Sequence, residues 1–187
     1  MEIKKYQNEL STKLRNGANF ILSGAVIWPV VALIWAFVDI DIDIRTKSGI
    51  TWSVGTCVIP LAFLVGHLLK IPKTVKDNPL VSILPILIAS QLPLFPFLVY
   101  LLVNSSGLFI VLLPTVSAAH FFTYGWVYNL KLFYDFSFLM SMVMTILAFL
   151  LPTHLWWCLP LVMGAIMGIF GILLLKEDHI KISKVNQ

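Results

Sequence analysis

The residues best suited to chemistry lie in the stretch SAAHFFTYGWVYNL, which covers residues 117–130. His120, Tyr124 and Tyr128 are four residues apart, so they fall on one stripe of a helix, with Thr123 beside them. An imidazole can gain or lose a proton near neutral pH, and a phenol can donate and accept hydrogen bonds. The stripe therefore suits a proton relay or a contact with a ligand.

The same stripe also fits a purely structural role. An unpaired polar group in hydrocarbon is costly, so the stripe must face protein or water. Ser90 and Gln91, in another apolar stretch, are the partners that the sequence offers. His120 would then be a neutral cross-link between helices. We favour this cross-link, although an ionisable residue at membrane depth is by default a candidate functional residue.

The composition of the chain predicts that these residues are surrounded by lipid. Hydrophobic residues make up 59% of 187 and charged residues 12%, whereas a soluble domain has roughly 25% charged residues. A membrane-spanning helix needs about 20 mostly apolar residues. Six runs of this kind are present, at residues 19–38, 50–69, 80–103, 108–130, 134–151 and 155–175. We therefore predict an all-α fold in which residues 1–187 form one domain, a six-helix transmembrane bundle.

The residues before the first run predict a short amphipathic helix. In residues 1–18, Ile3, Tyr6, Leu10 and Leu14 fall near one helical face, and charged residues occupy much of the rest. We expect this helix to lie on the cytoplasmic surface near anionic lipid headgroups, with a frayed tail as the alternative. The first run is too long for a signal-peptide core and lacks a small-residue cleavage pattern, so we expect it to stay as an anchored helix.

Basic residues predict the orientation of the bundle, because lysine and arginine near span ends stay in the cytoplasm. With the N-terminus inside, eleven basic residues are cytoplasmic and two are outside. The eleven are Lys4, Lys5, Lys13, Arg15, Lys70, Lys73, Lys76, Lys131, Lys176, Lys181 and Lys184; the two are Arg45 and Lys47. Both termini, including a tail at residues 176–187, are thus predicted to be cytoplasmic. Basic residues scattered over four segments do not form a nucleic-acid surface.

The first outer loop begins like a calcium site. Asp39, Asp41 and Asp43 alternate as in a calcium-binding loop, but position six is Ile44 rather than glycine and position twelve is Ile50 rather than glutamate. We therefore interpret the three aspartates as a solvated acidic rim.

Other chemical signals are sparse, and they predict no metal and no cofactor. His154 and Cys158 have a spacing that can hold a metal, but two ligands are too few. Cys57 and Cys158 both map to the outer half, where a disulfide is geometrically conceivable; two buried, unlinked thiols are the expectation. No carboxylate pair is present at membrane depth, and no hydrolase or nucleotide-binding motif occurs.

Prolines interrupt five of the six runs, and the run at 80–103 is the most interrupted. A proline removes a backbone donor and bends a helix, and bent helices can line cavities in transporters. Ser90 and Gln91 lie near the middle of this run. A broken helix beside a polar pair is the feature that most readily indicates a cavity.

Small residues in the last run predict close helix packing. Gly164 and Gly168 form a Gly-x-x-x-Gly motif, and Gly171 follows. We expect them to pack within the bundle rather than against a second copy, so a homo-oligomer is not indicated.

Three stretches resemble a family of small bacterial multi-pass membrane proteins grouped as a domain of unknown function. They are NELSTKLRNGANFILSGAVIW, KDNPL and AAHFFTYGWVYN. The family pattern has Gly-Ala-His followed by a proline before Tyr-Gly-Trp; here Ala118 replaces the glycine and Thr123 the proline, so a helix break is not required there. The resemblance implies a bacterial plasma membrane and no particular activity. It marks His120, Tyr124, Gly125, Trp126 and Tyr128 as positions to test.

Two functions remain in contention. The first is a small transporter or permeation protein with a polar site between helices three and four. The alternative is a structural or regulatory membrane protein that acts through a partner, and an enzyme is a weaker third. A water-accessible cavity at His120 and Gln91 would favour transport, whereas a dry core with exposed polar grooves would favour partner binding.

Overall fold

The computed structural model describes residues 2–37 and 42–185, with side chains up to residue 178. Within these residues the regular structure is entirely helical, which confirms the all-α prediction. The helices are α1 (Glu2–Lys13), α2 (Ala18–Phe37), α3 (Ile44–Thr56), α4 (Val58–Leu68), α5 (Ile83–Ala89), α6 (Phe95–Asn104), α7 (Ser106–His120), α8 (Phe122–Val127), α9 (Lys131–Leu150) and α10 (Cys158–Val185). Short 3₁₀ turns occur at Arg15–Gly17, Pro79–Ser82, Leu92–Leu94 and Thr153–Leu155.

Six segments of the described chain are long and apolar enough to cross a membrane, as predicted. They are numbered here as spans one to six: Arg15–Phe37, Ile44–Leu68, Pro79–Asn104, Ser106–Val127, Lys131–Leu150 and Thr153–Asp178. A helix satisfies its own backbone hydrogen bonds, which lipid cannot do, so a chain of this composition folds as helices. The six segments indicate a multi-pass membrane protein.

Span two begins six residues earlier than the predicted start at residue 50, because Asp43 caps it. The Asp43 carboxylate accepts hydrogen bonds from the Thr46 amide at 2.9 Å and from the Thr46 hydroxyl at 2.8 Å. The hydrogen bond from the Thr46 amide, followed by the one from its hydroxyl, holds the pKa of Asp43 below its usual range. Arg45 and Lys47 therefore lie in α3 rather than in a loop. The other two aspartates of the predicted rim, Asp39 and Asp41, lie outside the described residues.

Spans one and six form the centre of the bundle. Helices α2 and α10 pack along their length, and the three glycines of the small-residue motif face α2. The α2 residues opposite Gly164, Gly168 and Gly171 are, in order, Pro29, Ala25 and Leu22. A glycine stripe lets two backbones approach closely, which strengthens van der Waals packing in lipid.

Helix α1 forms, but its apolar face packs on protein. Leu10 is fully buried and Leu14 nearly so, whereas Ile3 is 57% exposed. The Gln7 side chain donates to the carbonyl oxygen of Trp126 at 2.6 Å, and Asn78 donates to the carbonyl oxygen of Tyr6 at 2.9 Å. The apolar face of α1 is therefore covered by the end of the bundle on which the N-terminus lies, which we call the inner end. A position of this helix near anionic headgroups stays a prediction. The α1 lysines remain exposed.

A left-handed turn joins α1 to α2. Arg15, Asn16 and Gly17 have φ values of 46°, 56° and 69°, a conformation that favours glycine and tolerates asparagine. A Cβ at Gly17 would lie 2.9 Å from the hydroxyl oxygen of Tyr128, so glycine also makes room for that ring. The turn is thus fitted against the inner end of span four.

The last helix continues beyond the predicted end of span six at residue 175. Helix α10 runs to Val185, so most of the predicted tail at residues 176–187 is helical. Asp178 is 3% exposed, and its Oδ2 lies 3.9 Å from Nε of Arg15. This part of the chain packs on the α1–α2 turn rather than extending freely into solvent.

Candidate functional site

Span three breaks at Ser90 and Gln91, as its prolines predict. Helix α5 ends at Ala89, and the chain resumes as a 3₁₀ turn that contains Pro93. Because Pro93 has no amide hydrogen, it cannot donate to the carbonyl oxygen of Ala89. The Ser90 hydroxyl donates to the carbonyl oxygen of Leu87 at 2.6 Å and so satisfies one backbone group at the break.

Span four is also interrupted, at Phe121, although its proline, Pro114, lies within α7. The Phe121 backbone keeps helical angles, with φ of −66° and ψ of −17°, and only the hydrogen-bond pattern changes. The Phe121 amide bonds to the carbonyl oxygen of Ala118, three residues back, at 3.2 Å. Side chains supplement this loosened turn: the Ser137 hydroxyl of α9 donates to the carbonyl oxygen of Ala118 at 2.7 Å, and the Thr123 hydroxyl donates to that of His120 at 3.0 Å. The sequence predicted a continuous run to residue 130; the apolar segment instead ends at Val127.

The two breaks bring Ser90 and His120 together. Ser90 Oγ lies 3.3 Å from His120 Nδ1, and His120 Nε2 lies 3.3 Å from the Tyr124 hydroxyl oxygen. Since the Ser90 hydroxyl proton is directed at Leu87, Ser90 accepts from His120 Nδ1–H. Nε2 of the neutral imidazole then accepts from the Tyr124 hydroxyl. The three side chains form one directed hydrogen-bond chain, which we call the polar chain.

Aromatic packing holds the polar chain in place. The Tyr124 ring stacks on Phe133 of α9 with centroids 6.1 Å apart and on Tyr128 with centroids 6.2 Å apart. Tyr128 is buried and also stacks on Phe133. Stacked rings fix the position of the Tyr124 hydroxyl and continue the stripe to the inner end of the bundle.

The polar chain lies at the side of the bundle rather than at its centre. Ser90 and Thr123 are exposed, whereas His120 and Tyr124 are half-buried. Gln91 is half-buried, and its side chain makes no hydrogen bond within the described residues, so the structure does not bring it into the chain. Of the predicted site residues, Ser90, His120 and Tyr124 are hydrogen-bonded together, Tyr128 extends the stack, and Thr123 supports the backbone.

Comparison with models of known protein families shows which family the chain belongs to. The model of a family of unknown function, DUF7010, matches residues 3–177. The chain belongs to the DUF7010 family. No curated protein and no solved structure matches the chain. The DUF7010 match extends from α1 almost to the end of span six, so it includes both helix breaks and the whole polar chain.

The inner end of this DUF7010 protein carries features that the sequence reasoning missed. Asn16 is fully buried: it accepts from the Ser11 hydroxyl and donates to the carbonyl oxygen of Leu174 at 2.9 Å. Asn78 is also buried and holds α1. The dipeptides Asn-Gly at residue 16 and Asn-Pro at residue 78 are turn signals that would have located both.

A second missed feature of this DUF7010 protein is a cavity of about 430 Å³ beside α1. Its walls come from α1, from the end of α8 and from the start of α9. They include Lys4, Gln7, Trp126, Asn129, Lys131 and Tyr134. We call this space the inner cavity. It lies at the end of span four, away from Ser90, and it was not predicted.

Metal-binding and thiol chemistry find little support in the part of the chain that is described. No group of three or more histidine, cysteine, aspartate or glutamate residues there could hold a metal ion. Cys57 and Cys158 are not linked by a disulfide. Cys57 is exposed, so the expectation that both thiols are buried was wrong for this residue: the helix turn between α3 and α4 places it on the outer surface of span two.

Proposed function

We propose that this DUF7010 protein is a small transporter or permeation protein of the bacterial plasma membrane, and that its substrate contacts the polar chain. The observation that carries the proposal is the contact between Ser90 Oγ and His120 Nδ1 at 3.3 Å, formed where two apolar spans are both broken. Helices broken within a membrane are how transporters expose backbone and side-chain hydrogen-bonding groups to a substrate.

The chemistry of the polar chain limits the substrate class. A hydroxyl, an imidazole and a phenol can donate and accept hydrogen bonds, and none carries a fixed charge. The three salt bridges within the described residues all lie outside this region. A small neutral solute with both donors and acceptors fits these groups better than an ion, which would need a compensating charge.

The orientation of the bundle is part of the proposal. With both termini in the cytoplasm, the bias of eleven basic residues inside to two outside follows the usual rule. The inner cavity and the α1–α2 turn then face the cytoplasm. Reporter fusions at residues 1 and 187 test this directly, since signals from opposite sides of the membrane would overturn the topology.

The central experiment is a solute screen followed by a flux assay. Purified protein in detergent is screened for thermal stabilisation by small neutral polar solutes, and solutes that stabilise it are tested for flux in proteoliposomes. His120→Ala should lower flux about three- to tenfold, the value of one hydrogen bond of ordinary strength. His67→Ala, which removes an exposed histidine at the inner end of span two, is the matched control. Equal flux through the His120→Ala and wild-type proteins would overturn the proposal.

The lateral position of the polar chain favours a second candidate function, the binding of a partner helix. Ser90 and Thr123 are exposed at a depth where lipid offers no hydrogen bonds, and hydroxyl groups commonly join helices in membranes. A photo-crosslinker at Thr123 should then capture a membrane protein in cells, whereas one at the exposed Ile146 of span five should not. Capture that is lost in His120→Ala, together with unchanged flux, would support this function over transport.

A further inference from the structure

Two hydrogen bonds connect helix α1 to the other walls of the inner cavity. The Gln7–Trp126 hydrogen bond at 2.6 Å ties α1 to the end of span four. Asn129 Nδ2 donates to Asn8 Oδ1 at 3.2 Å and ties the same helix to the connection before span five. The docked α1 therefore forms one wall of the cavity, which lies beside the end of span four and the start of span five.

The charge of the inner cavity is positive. Lys4 and Lys131 both line it. Lys4 forms no ion pair within the described residues, and Lys131 has only Asp135, with 4.0 Å between Nζ and Oδ2. That pair is weak because both side chains are largely exposed, at 86% and 58%. An anion entering the cavity would meet two ammonium groups and one distant carboxylate.

Two neutral donors add to the lysines. Trp126 and Tyr134 line the cavity, and neither the indole N–H nor the phenol hydroxyl forms a hydrogen bond within the described residues. The Tyr134 ring is held between Phe122, at a centroid distance of 4.8 Å, and the backbone of Gly125. A Cβ at Gly125 would come within 2.6 Å of that ring, so glycine is what allows it to fit.

An exposed aromatic surface begins at the cavity wall, at Trp126 and at Phe122 beside Tyr134. Phe122, Trp126 and Phe138 are 54%, 48% and 69% exposed. They are spaced so that the first two lie one turn apart on span four, and Phe138 lies one turn beyond Tyr134 on span five. An apolar chain can lie along this surface while a polar group attached to it occupies the cavity.

We propose that the inner cavity binds the phosphate group of an anionic phospholipid, with Lys4 and Lys131 contacting the phosphate and an acyl chain on Phe122 and Phe138. Basic pockets between membrane helices on the cytoplasmic side suit such headgroups, and tryptophan prefers this level of the bilayer. A soluble phosphate offers the same anionic oxygens, but it would leave the adjoining aromatic surface unused. This site is separate from the polar chain, so it does not depend on transport; it rests on the proposed function only for the orientation that places the cavity at the cytoplasmic face.

The test measures binding of phosphatidylglycerol to the full-length protein in detergent, by native mass spectrometry and by thermal shift. The variant Lys4→Gln with Lys131→Gln should weaken binding roughly thirtyfold, since each basic residue near an anionic headgroup contributes about fivefold to the affinity. The matched control, Lys5→Gln with Lys73→Gln, removes the same charge from exposed lysines of the same inner end. Lys4→Arg with Lys131→Arg should retain binding, which guards against loss through misfolding.

Each alternative gives a distinct result. If the cavity variant and the control variant lose phosphatidylglycerol binding equally, the lipid is attracted to the basic surface as a whole. That result would overturn the proposed site. Equal binding of phosphatidylcholine would show that the anionic headgroup is not selected, and would overturn it as well. Stabilisation by inorganic phosphate equal to that by the lipid, and equally dependent on Lys4 and Lys131, would overturn the assignment to lipid. Selective loss in the cavity variant, with the arginine variant intact, supports the proposal.

Discussion

Asn16 donates from Nδ2 to the carbonyl oxygen of Leu174 at 2.9 Å, and this bond joins the first turn of the bundle to its last helix. The residues are separated by 158 positions in sequence. Because Asn16 is fully buried and has a φ of 56°, it combines a hydrogen bond with a backbone conformation that few residues tolerate. This side chain links the inner ends of spans one and six, beside the Arg15–Asp178 pair.

Asn16→Ala should lower the free energy of unfolding by about 2–3 kcal/mol, because it removes the buried hydrogen bond to Leu174 and strains the left-handed turn. Thermal unfolding in detergent measures the change. Asn8→Ala, which removes the acceptor of an exposed bond from Asn129 without changing a left-handed residue, is the control and should cost under about 1 kcal/mol. Similar losses in both variants would mean that the α1–α2 turn is not the critical connection.

Ser137→Ala should destabilise the protein and Ser141→Ala should not, although the two residues are one turn apart on α9. The Ser137 hydroxyl donates to the loosened carbonyl oxygen of Ala118, so its loss should cost about 0.6–1.7 kcal/mol. The Ser141 hydroxyl is buried without a partner in the described part of the chain, so alanine there should be neutral or stabilising. Unfolding midpoints of the two variants test the pair, and a larger loss for Ser141→Ala would contradict it.

The glycine motif of span six allows a similar comparison. A Cβ at Gly164 would overlap the ring of Pro29, whereas one at Gly168 would lie 3.8 Å from Cβ of Ala25, an ordinary contact. Gly164→Ala should therefore destabilise by about 1–3 kcal/mol through overpacking. Gly168→Ala should be neutral or stabilising by up to about 1 kcal/mol through helix propensity. If both variants unfold at the same temperature, the two helices do not meet as described.

Tyr124→Phe tests the polar chain without disturbing its packing. The ring can still stack on Phe133 and Tyr128, but the donor to His120 Nε2 is lost. Flux of a transported solute should fall several-fold, about the value of one hydrogen bond, while the unfolding temperature changes little. Tyr100→Phe, at a 61% exposed position near the outer end of span three, is the control and should leave flux unchanged. A fall in unfolding temperature without a change in flux would assign the hydroxyl to structure alone.

The docking of α1 should weaken in acid. The hydrogen bond from Lys13 at 2.7 Å, assisted by one from Asn78 at 3.0 Å, lowers the pKa of Glu9 below its ordinary value of 4.5. A lowered pKa means that the ionised carboxylate stabilises the folded state above the unfolded-state pKa, and that this contribution is lost as the pH falls through the folded-state pKa. Glu9→Gln should therefore unfold more easily than wild type at neutral pH.

The difference between Glu9→Gln and wild type should shrink as the pH falls below about 4.5, the region where a glutamate becomes protonated. Unfolding temperatures measured over this range give the comparison. Glu2→Gln removes a carboxylate that has no hydrogen bond in the described residues and serves as the control. A difference that grows on acidification would have the wrong sign and would exclude this role for Glu9.

Much of the fold could be predicted from composition and local pattern. Six apolar runs predicted six helices, and the prolines around Ser90 predicted the break in span three. The start of span two was predicted too late because charged residues such as Arg45 were interpreted as part of a loop. The helix begins earlier because Asp43 caps it. The break at Phe121 was not predicted because no proline marks it; hydroxyls of Thr123 and of a neighbouring helix support it instead.

The sequence by itself determined that the chain suits an apolar environment and that it forms helices. A chain with 59% hydrophobic residues must satisfy its backbone internally, and a helix does so within one segment, whatever its neighbours are. Only the tertiary structure decided which polar groups meet. Ser90 and His120 are thirty residues apart, and the amphipathic face of α1 could have met lipid or protein equally well. Such contacts depend on how whole helices pack, and helical periodicity carries no information about the partner that a face will meet.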